Sequence, residues 1–360
     1  MSHPIMAMEK AISARAASAD REDGDLSADV DDLRRHGWLS ACLPFGEGGQ
    51  GWGTEPRGAR AAVRMLRSLG RANLSVARLF EGHMNALKLV SLYAETPLRR
   101  ETYAAVQDGS LLGVWGADDI GHPLALGCDG NSFRGAKRFA SGLGLVDRAV
   151  VSLATDEGSQ LLVVPVGIAE RSNSDVWRMD GMQSTCSGRY DFGGLRFEPS
   201  MKLGKVGDYE REPHFEGGIW RYCAAQLGGA ELLYARMRAS LLARGRDNDP
   251  HQQSRLVLVA TEIETARMWI ERAATAVEAV GARPQTAVLA LLARQATEES
   301  CRTVLRTVEE ALGMEAHIAG SAIERMRRDL SLFVCQAQPD AKRSRAACAL
   351  FQHDYSLELL

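Results

Sequence analysis

Hydrophobic positions along the chain divide it into three sections with different periodicity. In the first section, from residue 11 to about 107, apolar residues recur mostly at steps of three and four, most clearly in the stretches 63–69 and 79–92. This spacing predicts amphipathic helices packed on a core. A glycine-dense loop at residues 45–53 interrupts them. The first section is therefore expected to be helical.

The second section, from Leu111 to about Gly207, contains short β-rich runs separated by turn residues. Asp129-Gly130-Asn131 and residues 156–159 have the composition of hairpin connections. The pattern predicts a small antiparallel sheet or barrel, with strands at Leu111 to Trp115, Ser132 to Phe139, Ala149 to Ala154, Gln160 to Val166 and Tyr190 to Phe197.

The third section, residues 215–352, is rich in Ala, Leu, Arg and Glu and is interrupted only by Pro250, Pro284 and Pro339. Apolar stripes at residues 256–270 and 288–296 predict helices of an antiparallel bundle. The expected fold is therefore α+β, with a helical domain at 1–108, a β domain at 109–212 and a helical bundle at 213–360.

Composition and charge exclude two classes of partner. The 360 residues are 45% hydrophobic and 25% charged, with a formal net charge of -3. A chain without excess positive charge is not expected to bind nucleic acid. The longest apolar stretch, residues 161–169, is far short of the roughly 20 residues of a membrane helix, and residues 1–20 carry no secretory apolar block. We expect a cytoplasmic protein.

Cysteine and histidine spacing gives no sign of a disulfide framework or a metal site. The seven cysteines contain no CxxC pair, and we expect each to be a small buried apolar side chain. The eight histidines, from His3 to His353, never pair at i, i+4. Nucleophile-elbow, P-loop and HExxH motifs are missing from the sequence as well.

Five segments, in order and at sensible spacing, resemble the acyl-CoA dehydrogenase superfamily over nearly the whole chain. Three lie in the β section, and the flanking helical sections each contribute one. They are Leu43-Pro-Phe-Gly-Glu-Gly-Gly49, Gly113-Val-Trp-Gly-Ala-Asp118, Phe133-Arg-Gly-Ala-Lys-Arg-Phe-Ala-Ser-Gly142, Trp177-Arg-Met-Asp-Gly-Met-Gln-Ser-Thr-Cys-Ser-Gly188 and Glu324-Arg-Met-Arg-Arg-Asp329.

The resemblance implies FAD, with FMN or a reduced flavin as the alternative, held between the β domain and the bundle. The family places an aromatic residue such as Phe139 against the flavin ring, and Ser141 at its N5/O4 edge. An apolar plane with a few fixed donors suits a redox ring, because the cofactor carries the electrons and the protein orients it. The expected cofactor-binding residues are Trp115, Gly116, Ala117, Phe139, Ala140, Ser141 and Arg244.

The position of the family's catalytic glutamate is Ala337, so the usual base is missing. Asp340 lies three residues on and is expected to be a helix N-cap. Two other residues are candidates for the catalytic proton transfer. Glu216 is close to the place where some relatives carry the base, or it is a first-turn glutamate favoured by the helix dipole. His83 could exchange a proton near neutral pH, or it is a core histidine.

The diphosphate end of the implied FAD site also departs from the family. Arg244 matches the arginine that contacts the diphosphate, but Asp247-Asn248 replaces the following Phe-Gly. A glutamine expected before Gly313 appears as Glu309 or Glu310. A carboxylate there would weaken binding of the diphosphate unless a nearby arginine, Arg302 or Arg306, neutralised it.

Three functions are consistent with the sequence. The leading one is α,β-dehydrogenation of an acyl thioester or related acyl group, linked to CoA or a carrier protein, with Glu216 as base. A reduced-flavin-dependent monooxygenase and a non-catalytic paralogue or partner subunit are the alternatives. The resemblance further implies a homodimer or homotetramer whose bundle forms the interface, and an electron-transfer or flavin reductase partner.

Overall fold

The computed structural model of the protein describes residues 3–21, 24–336 and 338–352. Ala337 and His353, both of which entered the sequence predictions, lie outside these residues. Helices α1 to α5 form the N-terminal section and end before the first strand begins at Leu112. They are α1 (His3–Ala19), α2 (Ser27–Arg35), α3 (Ala59–Ala72), α4 (Leu74–Tyr93) and α5 (Thr96–Gln107).

Nine strands lie between residues 112 and 203, a segment that the structure describes without gaps. They are β1 (Leu112–Trp115), β2 (Ala125–Leu126), β3 (Phe133–Arg134), β4 (Ala136–Ala140), β5 (Arg148–Thr155), β6 (Gly158–Pro165), β7 (Ser172–Asn173), β8 (Gly188–Asp191) and β9 (Lys202–Leu203). They form a four-stranded sheet in the order β1-β5-β6-β9, a three-stranded sheet β4-β8-β7 and the pair β2-β3.

The sheets are antiparallel, as predicted, except at one pair. β1 runs parallel to β5, with Leu112 opposite Arg148 and Trp115 opposite Val151. Parallel neighbours need a long crossover connection, and here residues 116–147, which include β2, β3 and β4, provide it. A hairpin-based interpretation of the sequence missed this pair, because the crossover is made of strands and not of a helix.

Two predicted strands are shorter than the sequence pattern indicated. The run from Ser132 to Phe139 is divided at Gly135, whose φ of +87° ends β3 and turns the chain into β4. The run that begins at Tyr190 ends as a strand at Asp191. By contrast, the predicted turn between the two longest strands is present, because Thr155 pairs with Gly158 across it.

Six helices complete the fold within the described residues. They are α6 (His214–Gly217), α7 (Trp220–Ala243), α8 (Pro250–Val277), α9 (Ala287–Leu312), α10 (Ala322–Phe333) and α11 (Pro339–Gln352). Pro250 and Pro339 each occupy the first position of a helix, where the missing N–H has no cost. Asp340 therefore lies inside the first turn of α11 and is not its N-cap, which corrects the prediction. The expected order of helices, β section and bundle is confirmed.

The two helical sections pack directly on each other through α3 and α7. Glu231 of α7 accepts a hydrogen bond from Arg67 Nε at 2.8 Å and is also ion-paired with Arg71. Arg71 in turn binds Glu9 of α1 at 2.9 Å. The β section therefore lies against a continuous helical body and not between two independent ones.

A buried charge cluster joins α4, α7 and α8. Glu278 follows α8 and binds Lys88 Nζ at 2.7 Å and Arg221 Nη2 at 2.7 Å. The same two cations donate to the backbone carbonyls of Thr54 and Gly53 at the end of the glycine-dense loop. Burial would raise the pKa of Glu278, but the two cations outweigh burial and lower it.

Cysteine burial differs from the prediction. All seven thiols are free; Cys42, Cys223 and Cys301 are buried, but Cys128, Cys335 and Cys348 are exposed. Within the described residues, no cluster of His, Cys, Asp and Glu could hold a metal ion. Among the described helices, none combines the length and the hydrophobicity of a bilayer-spanning segment.

Candidate active site

A cavity of about 540 Å³ opens between α4, the β section and the C-terminal end of α10. Four predicted cofactor-binding residues lie together in its wall: Gly116, Ala117, Phe139 and Ser141. A second space of about 540 Å³, against α8, contains none of the predicted site residues. The first cavity is therefore the candidate active site.

Phe139 reaches the cavity because of an irregularity in the sheet. Arg138 pairs with Arg189 of β8 and Ala140 with Gly188, so that Phe139 is an extra residue between them. Its φ of +55° is rare for an aromatic residue, and its side chain is 46% exposed. Bulges and strained backbone of this kind occur where a side chain is directed to a functional site.

The Phe139 ring contacts one aromatic and one cationic side chain. Trp177 lies edge-on to it, with ring centroids 6.1 Å apart, and the Arg138 guanidinium carbon lies 4.7 Å above the ring. Both neighbours line the same cavity. They give this wall an aromatic surface with a positive charge over the Phe139 ring.

A short chain of hydroxyl groups continues the wall from Ser141. Ser187 Oγ donates to Ser141 Oγ at 3.1 Å and lies 2.7 Å from Thr185 Oγ1. Trp115 Nε1 donates to the Ser141 carbonyl at 3.0 Å, which fixes the backbone from behind. Trp115 and Ala140 are buried and support the cavity wall without lining it.

The Gly116–Ala117 turn is held by a buried lysine. Lys137 Nζ binds Asp118 Oδ1 at 2.7 Å and donates to the Gly116 carbonyl at 3.3 Å, and Ser152 Oγ donates to the same carbonyl at 3.1 Å. Burial lowers the pKa of Lys137, partly offset by Asp118. The turn thus presents fixed backbone groups to the cavity.

The arginine-aspartate segment of α10 fixes the loop that carries Trp177. Met182 N donates to Asp329 Oδ1 at 2.6 Å, and Arg328 Nη1 donates to the Asp180 carbonyl at 2.6 Å. Burial raises the pKa of Asp329 to about 6. Gly181 lies so close to α10 that a Cβ there would be 2.4 Å from the Arg328 carbonyl oxygen. The arginine-aspartate segment therefore shapes the cavity by fixing the loop that carries Trp177.

His83 lies outside the cavity wall. Its Nε2 is 3.0 Å from the Leu39 carbonyl oxygen, and its Nδ1 accepts from Leu112 N at 3.0 Å. These partners assign the proton to Nε2. Burial lowers the pKa of His83 to about 4, so the ring is neutral at physiological pH. The position matches the core-histidine interpretation.

Glu216 also lies outside the cavity wall. Lys342 Nζ of α11 binds its Oε2 at 2.6 Å, and Arg345 is ion-paired with its Oε1. The carboxylate thus ties α6 to α11. Ala337, the position of the family's glutamate, is outside the described residues; its neighbour Gln336 lines the cavity.

Arg244 is placed away from the cavity and is paired with Glu315. Glu309 is ion-paired with Arg327, and Glu310 lies 3.8 Å from Arg306 Nε. Of the two arginines considered as neutralising partners, Arg306 therefore contacts the acidic pair, whereas Arg302 binds Glu298 at 2.9 Å.

Sequence reasoning missed the polar residues of α4 and α7 that line the cavity. Arg78, Glu81 and Asn85 are spaced by three and four residues on one face of α4, and Tyr222 faces them from α7. A polar stripe on an otherwise apolar helix was the available signal. No sequence signal pointed to Tyr222, because an isolated tyrosine in a buried helix looks like a core residue.

Comparisons with known proteins give relatives for part of the chain and for the whole fold. No family model matches the sequence. Dibenzothiophene monooxygenase of Rhodococcus qingshengii is 27% identical over 205 residues, which are 53% of this chain and 48% of that enzyme. The chain spans about half the length of the curated relatives it matches.

Solved structures match almost from end to end. The FMN-bound dibenzothiophene monooxygenase of Paenibacillus sp. A11-2 has a TM-score of 0.81 at 20% identity and covers 98% of both chains. Methanesulfinate monooxygenase of Pseudomonas fluorescens has a TM-score of 0.79 at 19% identity, also over 98% of both. These neighbours have the acyl-CoA dehydrogenase fold, and the Paenibacillus structure contains FMN. The chain therefore has the fold of the acyl-CoA dehydrogenase superfamily, as its motifs predicted.

Proposed function

We propose that this chain is a flavin-dependent monooxygenase that uses a reduced flavin supplied by a separate reductase. The observation that carries the proposal is that the described part of the cavity wall contains no unpaired carboxylate. Among the described lining residues, Glu81 is the one carboxylate, and it is ion-paired with Arg78. Removal of an α-proton needs a free base near the substrate. The wall thus favours oxygen transfer over acyl-CoA dehydrogenation, the leading hypothesis from sequence.

The residues present fit a flavin ring. A volume of about 540 Å³ is within the range of roughly 300–1,000 Å³ that is usual for small-molecule sites. Phe139 and Trp177 would supply an apolar surface, and the hydroxyl of Ser141 a hydrogen bond. Gly116 and Ala117 would contribute backbone groups. A bound reduced flavin supplies the two electrons by which one atom of O₂ enters the substrate and the other leaves as water.

The flavin that we propose is FMN. Arg244, the expected diphosphate ligand of FAD, is already paired with Glu315. Two further carboxylates, Glu309 and Glu310, lie six and five residues before Glu315 in the sequence. Carboxylates at a diphosphate site weaken binding. FMN has one terminal phosphate and does not need these contacts. The FMN complex of the dibenzothiophene monooxygenase of Paenibacillus sp. A11-2 supports the same choice.

The residues of this chain would bind the flavin and the substrate and shield both from water. The Trp177 loop, fixed by Asp329, covers one side of the cavity, and Leu332 and Phe333 cover the other. Excluding water protects reactive intermediates from hydrolysis. His83 and Glu216 have no part in this proposal, because each is bound by its own partners outside the cavity.

Oxygen transfer can be tested with reduced FMN generated by a separate flavin reductase and NADH, with catalase present. Dibenzothiophene, suggested by the partial sequence relatives, and indole serve as probes. We expect one ¹⁸O atom from ¹⁸O₂ in the product by mass spectrometry. Bleaching of the FAD- or FMN-loaded protein by octanoyl-CoA under anaerobic conditions would instead establish the dehydrogenase. A protein that binds no flavin at micromolar concentration would be a non-catalytic paralogue.

The FMN site has its own test. Ser141→Ala should weaken FMN binding about tenfold, the effect of about 1.4 kcal/mol for a lost hydrogen bond. Ser18→Ala, at an exposed serine of α1, is the matched control and should leave FMN affinity unchanged. Fluorescence titration of FMN measures both, and equal affinities would remove Ser141 from the site.

A further inference from the structure

One end of the cavity is polar, in contrast to its aromatic wall. Glu81 and Asn85 lie one turn apart on α4, and Tyr222 of α7 lines the same space. The charge of Glu81 is balanced by Arg78 in an ion pair within α4. This end therefore has hydrogen-bonding capacity without net charge, and it suits a neutral polar group better than an ion.

The Tyr222 hydroxyl has an unmet hydrogen-bonding requirement. The side chain is 6% exposed, and its oxygen makes no hydrogen bond of good geometry to another described residue. The Arg294 guanidinium lies close to it but can only donate, so the Tyr222 O–H has no acceptor. Burial raises the pKa of Tyr222 far above its usual range, so the group remains a protonated donor. A buried polar group without a partner destabilises the fold. A ligand acceptor would remove this cost.

Asn85 and Glu81 have free capacity of the complementary kind. The Asn85 amide makes no hydrogen bond within the described part of the chain, and Glu81 uses one carboxylate oxygen, Oε2, for Arg78. The Glu81 carboxylate can only accept, and the Asn85 amide can accept through Oδ1 and donate through Nδ2, so the pair can receive a donor on the ligand. Together with Tyr222, the three residues match a group that both donates and accepts, and a hydroxyl is the simplest such group.

The cavity wall also contains an apolar patch that could hold the carbon skeleton of a ligand. Leu332, Phe333 and Met182 contribute aliphatic and aromatic surface beside the polar end. Flat or compact apolar groups gain burial there. A hydroxyl on such a body would reach Tyr222, Asn85 and Glu81 while its carbon skeleton fills the remaining space.

We propose that Tyr222 and Asn85, with Glu81, select substrates in which a hydroxyl group is attached to an apolar ring, over the unsubstituted ring. The inference rests on the proposed function for its chemistry, but it concerns binding and can be measured without turnover. Sites built to hydrogen-bond a substrate hydroxyl discriminate strongly, because the analogue without it leaves buried groups unpaired.

The test compares indole with 4-, 5- and 6-hydroxyindole on the protein loaded with oxidised FMN. Isothermal titration calorimetry gives each dissociation constant without oxygen transfer. We expect at least one hydroxyindole to bind about tenfold more tightly than indole. Equal binding of all four probes would overturn the inference.

Variants assign the preference to residues. Tyr222→Phe and, separately, Asn85→Ala should reduce the preference about tenfold while indole affinity changes little. Tyr190→Phe is the matched control, because Tyr190 is also buried with an unpartnered hydroxyl but does not line the cavity. A preference that survives both cavity variants would contradict the assignment. Circular dichroism confirms folding, and the two variants provide independent tests.

The outcomes separate this inference from the proposed function. A hydroxyindole preference that depends on Tyr222, found in a protein that transfers no oxygen, would refute the monooxygenase and leave the selectivity standing. Oxygen transfer to dibenzothiophene or indole without any hydroxyl preference would refute the selectivity alone.

Discussion

At the scale of single residues, burial decides which titratable groups can take part in chemistry. His83 and Glu216 were attractive in sequence because each has a functional group of the right type. In the fold, both have partners outside the cavity: two backbone groups for His83, two cations for Glu216. A group held by such partners stabilises the fold, and it would have to leave them before it could exchange a proton with a ligand in the cavity.

The buried His83 predicts a pH dependence of stability. Its folded-state pKa of about 4 lies below the ordinary value of 6.5, so the unfolded chain binds the proton more readily. Stability from His83 is thus complete above pH 6.5 and is lost as the pH falls towards 4. We expect the stability advantage of the wild type over His83→Gln to shrink by about 2 kcal/mol between pH 7.5 and pH 5.0.

Urea unfolding at the two pH values measures this difference. His214, whose pKa burial also lowers to about 4, is present in both proteins and cancels. His251→Gln, at an exposed histidine, is the control and should give a pH-independent difference. Parallel stability curves for wild type and His83→Gln would show that the ring is not buried as a neutral group.

Site residues were predictable to the extent that their chemistry lay in a local motif. Phe139 and Ser141 belong to one continuous segment, and the structure places both in the cavity wall. Glu216 could not be judged, because its partner Lys342 lies 126 residues away. Tyr222 and Asn85 were missed for the same reason: what makes them notable is a shared empty space, which no spacing along the chain records.

At the scale of elements, the connection between the Trp177 loop and α10 shapes the cavity more than either does alone. Asp329 accepts the Met182 N–H, and Arg328 donates to the Asp180 carbonyl, so two backbone groups of the loop are held by neighbouring residues of one helix turn. The contact requires the loop backbone to approach the helix closely, and Gly181 permits it.

Gly181→Ala should therefore displace the loop. The new Cβ would meet the Arg328 carbonyl oxygen at 2.4 Å, and backbone cannot move as cheaply as a side chain. We expect a loss of about 1–3 kcal/mol in unfolding free energy and a weaker FMN affinity. Gly167→Ala, where a Cβ meets nothing within 4 Å, should leave both unchanged. Calorimetry and FMN titration report the two effects, and an unaffected Gly181→Ala would mean that the loop does not need this approach.

Element types were predictable from periodicity and punctuation, but pairing was not. Prolines at 250 and 339 marked the breaks between helices, although not that each helix begins at its proline, and the β5–β6 turn was visible in its composition. The parallel pairing of β1 with β5 was not visible, because strand direction depends on how the whole intervening segment folds. The apolar stripes predicted which face of each helix is buried, but they did not predict which other helix packs on that face.

At the scale of the whole molecule, the outer face of α8 exposes apolar side chains. Val257 is 67% and Met268 54% exposed, and eleven residues, or three turns, place them on the same side of the helix. Exposed apolar groups in one region mark interaction surfaces. They fit the homodimer or homotetramer, with the bundle as interface, that the family resemblance implies.

The combined variant Val257→Glu, Met268→Glu should lower the assembled mass towards that of a single chain. Charges buried at an interface without partners oppose association. Val280→Glu, at a 93% exposed position after α8, is the control and should keep the wild-type mass. Sedimentation velocity at several concentrations measures all three proteins. A monomeric wild type, or a double variant of unchanged mass, would exclude α8 from an interface.

The buried cluster around Glu278 links the burial of two cations to a carboxylate that is synthesised after them. Lys88 and Arg221 leave the ribosome before the one carboxylate that both of them bind. Until α8 has folded back and delivered Glu278, two cations destined for the interior lack their counterion, at a cost of about 3–5 kcal/mol for a broken buried pair. Burial of Lys88 and Arg221 is therefore favoured only once α8 is present. The contacts that join the glycine-dense loop, α4 and α7 depend on a residue that lies 57 positions after Arg221 in the chain.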